Sequence, residues 1–299
     1  MNNRQMMTRI RRGTGFIAAL DQSGGSSPKT LTGYGLSPDV WSSEEEMFDL
    51  IHQMRCRIIT SQAFSADKIL GTILFERTMD GTADGSPIPK LLHQKGIVPF
   101  LKVDQGLEDE HDRVQLMKPI SGLGMLLERA KALGVFGTKM RSVIRGASST
   151  GIAAIVAQQF RVGNVIADAG LLPILEPEYD IQATDRAAGE AILLEEILRS
   201  LAELPDRRLV MLKLSLPVEP NTYRVLVRHP RVARVAALSG GYSRQKACEE
   251  LARNQGLIAS FSRALLSDLR VTMSAEEFDA ALGRAIDQIH RAGANSVAE

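Results

Sequence analysis

The sequence contains few cysteines. Among 299 residues there are two, Cys56 and Cys248, and they lie far apart along the chain. Such a pair matches neither a disulfide scaffold nor the close spacing of zinc or redox motifs. We therefore expect buried or half-buried thiols without a disulfide scaffold and a reducing cytoplasm as the location. We also expect no cofactor.

The sequence also lacks an excess of charge and any long apolar stretch. The formal net charge is +1, which argues against general electrostatic binding of nucleic acid. No apolar run approaches the roughly 20 residues of a transmembrane helix. The run at 16–20 is too short for a secretion signal, and the five histidines show no metal-type spacing. We therefore expect no nucleic acid or membrane partner and no metal.

Short apolar runs instead alternate with amphipathic segments along the whole chain, without a Pro/Gly/Ser-rich linker. Such alternation predicts a parallel sheet with helices packed against it. The predicted strands cover residues 15–20, 71–75, 97–103, 135–140, 172–176, 209–214, 232–238 and 257–261. The predicted helices cover 43–61, 125–133, 151–163, 186–204 and 243–254, with Ser243 as an N-cap.

Eight strands in a chain of this length predict one (β/α)8 barrel domain over residues 1–299. A doubly wound open sheet is the alternative, but no Gly-x-Gly-x-x-Gly motif follows the first predicted strand. The segment 275–291 predicts a closing amphipathic helix, because Phe278, Leu282 and Ile286 share one helical face.

Ionisable residues follow or end nearly every predicted strand. In a barrel the carboxyl ends of the strands form the functional face, and burying charges there is costly unless they pair or have a function. The sequence therefore predicts a polar site surrounded by apolar walls. The residues concerned are Asp21, Glu76, Arg77, Lys102, Asp104, Lys139, Arg141, Glu176, Glu178, Lys213 and Arg263. Within this set we expect supporting ion pairs for Glu76 and Arg77 and a structural role for Asp104 beside a cation.

Two of these residues end apolar runs and suggest a specific chemistry. Lys213 ends the run 209–212, and Glu176 ends the run 172–175. A desolvated lysine beside carboxylates and a second lysine is the arrangement that makes an amine nucleophilic near neutral pH. This pattern predicts Schiff-base formation with a carbonyl substrate.

A Ser-Gly-Gly turn, Ser239, Gly240 and Gly241, follows the seventh predicted strand. Glycines allow close backbone approach, and successive N–H groups can bind an anion. The predicted helix from Ser243 directs its positive end to the same place, and Arg263 can bind phosphate oxygens through two N–H groups. The sequence therefore predicts a phosphate site.

Seven motifs, in order, resemble the class I fructose-bisphosphate aldolases, in particular their short bacterial form. They are FIAALDQS (16–23), LKVD (101–104), KMR (139–141), PILEPE (173–178), LK (212–213), LSGG (238–241) and SFSRA (260–264). Each motif is weak alone, whereas the ordered set is specific. The resemblance implies a TIM barrel, no metal, and reversible cleavage of fructose 1,6-bisphosphate to dihydroxyacetone phosphate and glyceraldehyde 3-phosphate in glycolysis and gluconeogenesis.

The resemblance also implies roles for five residues. Lys213 would form the Schiff base, and Lys139 would be the cation beside it. Glu176 would be the acid/base that serves carbinolamine formation and dehydration, with Glu178 as its hydrogen-bonding neighbour. Asp21 would handle the proton of the C4 hydroxyl.

The remaining implied residues bind substrate in two groups. The first, which holds one phosphate, consists of Ser239, Gly240, Gly241 and Arg263. The second, on the other side of the substrate, consists of Lys102, Ser23 and Ser26, with Arg141 nearby. The alternative for Lys102 and Arg141 is a structural ion pair across the barrel mouth.

The chain departs from the vertebrate members of this family at two places. Gln22 stands where they carry glutamate, which bears on tuning around Asp21, and residues 295–299 contain no counterpart of their terminal tyrosine. Alternatives are a Schiff-base enzyme for a different phosphosugar, transaldolase included, and a non-catalytic phosphosugar-binding protein on the same fold. A homo-oligomer is compatible with the sequence.

Overall fold

Residues 1–294, which the computed structural model describes, contain eleven strands. They are β1 (Phe16–Leu20), β2 (Ile69–Leu74), β3 (Thr82–Ala83), β4 (Ser86–Pro87), β5 (Val98–Lys102), β6 (Val114–Gln115), β7 (Gly137–Ile144), β8 (Leu172–Tyr179), β9 (Val210–Ser215), β10 (Val232–Leu238) and β11 (Ile258–Ala259). Eight of them pair in parallel in the order β1-β2-β5-β7-β8-β9-β10-β11. The backbone N–H of Ala19 donates to Phe261 O at 3.1 Å, which brings the last strand against the first. The predicted TIM barrel is confirmed.

Helices separate successive barrel strands, as the alternation of the sequence predicts. They are α1 (Asn3–Arg12), α2 (Ser26–Gly33), α3 (Glu44–Thr60), α4 (Glu76–Asp80), α5 (Ile88–Lys95), α6 (Leu123–Ala132), α7 (Ser149–Asp168), α8 (Arg186–Ala202), α9 (Arg224–Val227), α10 (Arg244–Ala252), α11 (Arg263–Leu266) and α12 (Ala275–Ala294). None of these helices is both long and apolar enough to cross a membrane. Residues 295–299, in which the sequence has no counterpart of a terminal tyrosine, lie outside the described residues.

Serine N-caps fix where three of the helices begin. The hydroxyl of Ser43 accepts a hydrogen bond from Glu46 N–H at 3.2 Å at the start of α3, and Ser148 caps α7 in the same way. Ser243 caps α10, as predicted. Because such a cap satisfies an N–H group that would otherwise lack a partner, it stabilises the helix start by about 1 kcal/mol.

The residues of each strand alternate between two apolar layers. In β1, Ile17 and Ala19 belong to a buried inner cluster, whereas Ala18 packs in the outer cluster between strands and helices. Met6 and Ile10 of α1 join the inner cluster. The first helix therefore packs against the core that fills the barrel. The two layers follow from the period-2 alternation of side chains along closed strands.

The predicted ends of two central strands are wrong, with a consequence for the site. β7 continues to Ile144 and β8 to Tyr179, beyond the predicted ends at 140 and 176. The two strands pair along their whole length, so their backbone groups stay hydrogen-bonded past the ionisable residues. Glu176 therefore lies within a strand rather than at its end.

The outer layer closes with α12. Phe278, Leu282 and Ile286 are all buried on this helix, which confirms the predicted amphipathic face. The remaining face carries acidic residues in the first turn, where the helix dipole favours negative charge.

Candidate active site

Lys213 lies within β9, and 4% of its surface is exposed. Its Nζ lies 2.8 Å from Oε1 of Glu176. The parallel register of β8 and β9, with Leu175 opposite Leu212, brings the next residue of each strand together. The contact therefore follows from strand pairing, and it places a buried amine beside a carboxylate.

Lys139, on the other side of β8, contacts the same carboxylate. Its Nζ lies 2.9 Å from Oε2 of Glu176 and 2.6 Å from Oδ2 of Asp21 at the end of β1. Among the described residues, no hydrogen bond of good geometry reaches Glu176 Oε2, so its contact with Lys139 is an ion pair. Two lysines thus share one buried carboxylate.

Asp104 joins two further predicted site residues to this cluster. One of its oxygens lies 2.6 Å from Nζ of Lys102, and the other accepts a hydrogen bond from Arg141 N–H at 3.1 Å. Nζ of Lys139 lies 3.9 Å from Oδ2 of Asp104. The expected structural role of Asp104 beside a cation is confirmed, and it holds β5 against β7.

The lysines of the cluster favour the ionised forms of Asp21 and Glu176. Burial opposes ionisation of Asp21, but the charges of Lys139, Lys213 and Lys102 outweigh it and hold the pKa of Asp21 well below its usual range. Burial and the two lysines act in the same opposing way on Glu176, whose pKa is also lowered. Burial disfavours the charge of Lys139, yet the surrounding carboxylates raise its pKa. Lys139 is therefore a fixed cation.

Arg141 and Glu178 form a second, more exposed pair. The guanidinium of Arg141 binds the carboxylate of Glu178, and this contact outweighs the effect of burial and raises the pKa of Arg141. The resemblance implied instead that Glu178 hydrogen-bonds Glu176, and that bond is not among the described contacts. The physical reason is that the guanidinium offers Glu178 an opposite charge and a directed N–H donor, which the side chain of Glu176 does not.

The Ser-Gly-Gly turn after β10 has the backbone shape that the sequence predicts. Ser239 O accepts a hydrogen bond from Tyr242 N–H at 2.9 Å. Gly240 and Gly241 have φ of +60° and +117°, in the region that favours glycine. A Cβ placed on Gly241 would lie 3.5 Å from Nη2 of Arg263, so the exposed guanidinium lies beside the turn.

The loop after β1 and the first residue of α2 provide the two predicted serines, Ser23 and Ser26. The N–H of Ser23 donates to Oγ of Ser26 at 3.1 Å, and this hydroxyl donates back to Ser23 O at 2.9 Å. Between Asp21 and Ser23, the side-chain amide of Gln22 donates to Ser262 Oγ at 2.6 Å. The loop therefore lies beside the residue that precedes Arg263.

Two charged residues that follow a predicted strand lie outside this cluster. Glu76 and Arg77 belong to α4, where Glu76 binds Arg129, and the guanidinium of Arg77 lies 5.0 Å from the ring of Phe48. Within residues 1–294, no group of three His, Cys, Asp or Glu side chains is arranged to hold a metal ion.

Sequence reasoning missed one residue at this site. Arg55 of α3 is fully buried and binds the backbone carbonyl of Gln22. The available signal was a cation on the apolar face of a helix, between Ile51 and Ile58.

A parallel barrel with a buried lysine beside a carboxylate, toward the carboxyl ends of its strands, is the arrangement expected of a Schiff-base aldolase. The chain belongs to the class-I fructose-bisphosphate aldolase family, whose sequence model matches residues 4–216. The family predicted from the seven motifs is therefore confirmed, and the protein is an aldolase of the lyase class.

Solved structures share the fold. A fructose-bisphosphate aldolase from Plasmodium falciparum, crystallised with TRAP and a small-molecule inhibitor, is 20% identical, with a TM-score of 0.80 over 99% of this chain and 96% of that one. The protein Cgl0159 from Corynebacterium glutamicum is 12% identical, with a TM-score of 0.56 over 98% of this chain and 93% of that one.

Proposed function

We propose that this protein catalyses reversible cleavage of fructose 1,6-bisphosphate to dihydroxyacetone phosphate and glyceraldehyde 3-phosphate, as one catalytic domain, in cytoplasmic glycolysis and gluconeogenesis. The observation that carries the proposal is the 2.8 Å contact between Lys213 Nζ and Glu176 Oε1, a buried amine beside its proton acceptor. The free thiols of Cys56 and Cys248 suit a reducing compartment.

In the first step the amine of Lys213 adds to the C2 carbonyl of the ketose and forms a carbinolamine. Glu176 accepts the proton that the amine loses and returns a proton to the departing hydroxyl, so that water leaves and an iminium remains. Lys139 stays charged and holds Glu176 in place from the opposite oxygen.

In the second step the C3–C4 bond breaks, and its electron pair moves into the iminium to give an enamine. Asp21, an anion bound by Lys139 at 2.6 Å, takes the proton of the C4 hydroxyl, and glyceraldehyde 3-phosphate leaves. Protonation of the enamine at C3 and hydrolysis of the imine then release dihydroxyacetone phosphate and restore Lys213.

We place the two phosphates in separate groups of residues. The turn after β10 offers backbone N–H groups next to a guanidinium, a combination that binds phosphate. This group consists of Ser239, Gly240, Gly241 and Arg263. The second group consists of Lys102, Ser23 and Ser26, with Arg141 near the substrate.

Borohydride trapping tests this proposal. The protein is incubated with dihydroxyacetone phosphate, reduced with borohydride and digested for peptide mass spectrometry. We expect a stable adduct on Lys213. An adduct on Lys102 or Lys139 instead would overturn the residue assignment, and the absence of any adduct would overturn the Schiff-base mechanism.

Turnover measurements test the substrate. We expect a higher kcat/KM for fructose 1,6-bisphosphate than for fructose 1-phosphate, because two groups of residues suit two phosphates. A preference for the monophosphate or for a transaldolase substrate would indicate an enzyme for a different phosphosugar. Binding of the bisphosphate without turnover would indicate a binding protein.

A further inference from the structure

Arg55 is a buried cation without a carboxylate partner among residues 1–294. The side chain is fully buried in α3. Its Nη1 donates to Thr78 Oγ1 at 2.9 Å, and its Nη2 donates to the backbone carbonyl of Gln22 and, at 3.3 Å, to the side-chain carbonyl of Gln22. Burial lowers the pKa of Arg55 to about 10, and the charge of Asp21 opposes this effect.

A guanidinium in this environment is costly. Buried charges are normally paired with an opposite charge, because a buried charge that lacks one is left uncompensated. The hydrogen bonds of Arg55 go instead to neutral oxygens, two of which belong to Gln22. What Arg55 determines is therefore the position of Gln22.

The side-chain amide of Gln22 connects Arg55 to Ser262 and Ala19. Its Oε1 accepts from Arg55, while its Nε2 donates to Ser262 Oγ at 2.6 Å and to Ala19 O at 3.3 Å. The bond to Ala19 O needs a donor, which a carboxylate lacks, whereas the Ser262 hydroxyl can either accept a hydrogen bond or donate one. We call Arg55, Gln22 and Ser262 the seam clamp.

The seam clamp crosses the place where the barrel closes. Among the described residues, β1 and β11 share no strand ladder, and a backbone hydrogen bond joins Ala19 of β1 to Phe261, two residues beyond the end of β11. The bond from Gln22 to Ser262 adds a link nearer the carboxyl ends of these strands. Asp21 immediately precedes Gln22 at this seam.

We propose that Arg55 and Gln22 are positioning residues of the aldol site. Through the seam clamp they fix the Asp21 carboxylate at the C4 hydroxyl and hold Arg263, the residue after Ser262, beside the phosphate turn. This inference rests on the proposed cleavage of the bisphosphate, and it concerns the carbon–carbon cleavage step rather than Schiff-base formation.

The Gln22→Met variant tests it, because methionine keeps the size of the side chain but removes both the donor and the acceptor. We expect kcat for bisphosphate cleavage to fall about 10- to 100-fold, as for a misplaced catalytic group, and KM to rise several-fold. Trapping of dihydroxyacetone phosphate on Lys213 at saturating concentration should keep its full yield, because Glu176 and Lys213 are untouched.

The matched control is Gln159→Met. Gln159 is also buried, and its Nε2 donates to Ser142 Oγ at 2.7 Å and to Met140 O at 3.3 Å. The Gln159→Met variant therefore loses two amide N–H bonds, to a serine hydroxyl and a backbone carbonyl, like those of Gln22 Nε2 but away from the seam. We expect the kcat of this variant to stay within about 3-fold of the parent value, as for a change that leaves the catalytic groups in place.

Milder variants keep the test informative if Gln22→Met does not fold. Ser262→Ala removes only the hydroxyl that accepts from Gln22. Arg55→Lys keeps the positive charge but removes the two guanidinium nitrogens that donate to Thr78 and Gln22. Both variants should lower kcat more than Gln159→Met does while leaving the trapping yield intact. Unchanged kcat in all three clamp variants, or parallel loss of cleavage and trapping, would overturn the positioning role. Failure of the parent protein to trap would instead overturn the proposed function.

Discussion

Lys139 and Lys213 approach each other from the two sides of β8 and bind the two oxygens of Glu176, at 2.9 and 2.8 Å. Two ammonium groups this near repel each other unless an anion lies between them. The shared carboxylate therefore holds both lysines in the barrel while leaving each a different function: one remains a fixed cation, and the other lies beside a proton acceptor.

This arrangement predicts that Lys213→Met abolishes catalysis without abolishing the fold. The variant removes the nucleophile, so we expect kcat to fall about 10³-fold or more and the borohydride adduct to disappear. The control is Lys95→Met, which removes a half-buried lysine that donates to Ser61 O at 2.8 Å, away from the site. Residual cleavage in Lys213→Met at a tenth of the parent rate would show that another group is the nucleophile.

Glu176→Gln should affect both catalysis and stability. The amide cannot accept and return protons as the carboxylate does, so we expect kcat to fall about 10²- to 10⁴-fold. It also leaves buried ammonium charge less compensated, so the free energy of unfolding should fall by about 3 kcal/mol. Kinetics and urea unfolding measure the two effects.

The control for this prediction is Glu128→Gln. The Glu128 side chain is 69% exposed and lies 3.1 Å from Lys131, so its removal should change the free energy of unfolding by less than about 1 kcal/mol. If Glu176→Gln were as stable and as active as this surface variant, the shared carboxylate would have neither role.

The sequence predicted which strands carry Lys139, Glu176 and Lys213 because apolar runs and period-2 alternation are local properties of the chain. Lys139 and Arg141 are two apart on β7, Glu176 and Glu178 are two apart on β8, and these two strands are neighbours. The ion-pair partners were less predictable. Glu178 binds Arg141 rather than Glu176, and this choice depends on distances between strands that no single strand encodes.

Arg55 shows the same limit more strongly. An arginine within an amphipathic helix is usually interpreted as a solvated residue, because long charged side chains extend to water. Its burial results from the packing of α3 against the loop after β1, where the Gln22 carbonyl lies. Helical periodicity places Arg55 on the apolar face of α3, but the contact joins residues 33 positions apart, so periodicity gives no information about the partner.

The lowered pKa of Asp21 predicts how stability depends on pH. Burial opposes its ionisation, but Lys139, Lys213 and Lys102 outweigh burial, so its pKa is lower in the native state than in the unfolded chain. The unfolded chain then binds more protons between the two values, and stability rises with pH there. The stabilisation is complete above the unfolded value of about 3.9 and is lost as pH falls through the folded pKa.

Asp21→Asn should remove this contribution. We expect its urea midpoint to decline less steeply than that of the parent protein as pH falls from about 5 to 3, the region where unfolded aspartate begins to protonate. Glu176, whose pKa is also lowered, still titrates in the variant, so the slope becomes smaller rather than zero. Asp206→Asn is the control, because the Asp206 side chain is fully exposed. Parallel curves for Asp21→Asn and the parent would contradict the prediction.

Gly241→Ala should weaken phosphate binding more than it slows chemistry. Gly241 has φ of +117°, which strains any residue with a Cβ by about 1–3 kcal/mol, and the new methyl group would lie 3.5 Å from Nη2 of Arg263. The turn would relax away from the shape that presents its N–H groups, so we expect KM to rise about 10-fold, the equivalent of about 1.4 kcal/mol of lost binding, with a smaller change in kcat. Steady-state kinetics on the bisphosphate measure both constants.

The control is Gly170→Ala, at φ +85° with open space around it, which introduces backbone strain in the turn before β8. Because strain alone lowers stability without moving a phosphate contact, an equal rise of KM in both variants would mean that the Ser-Gly-Gly turn does not bind phosphate.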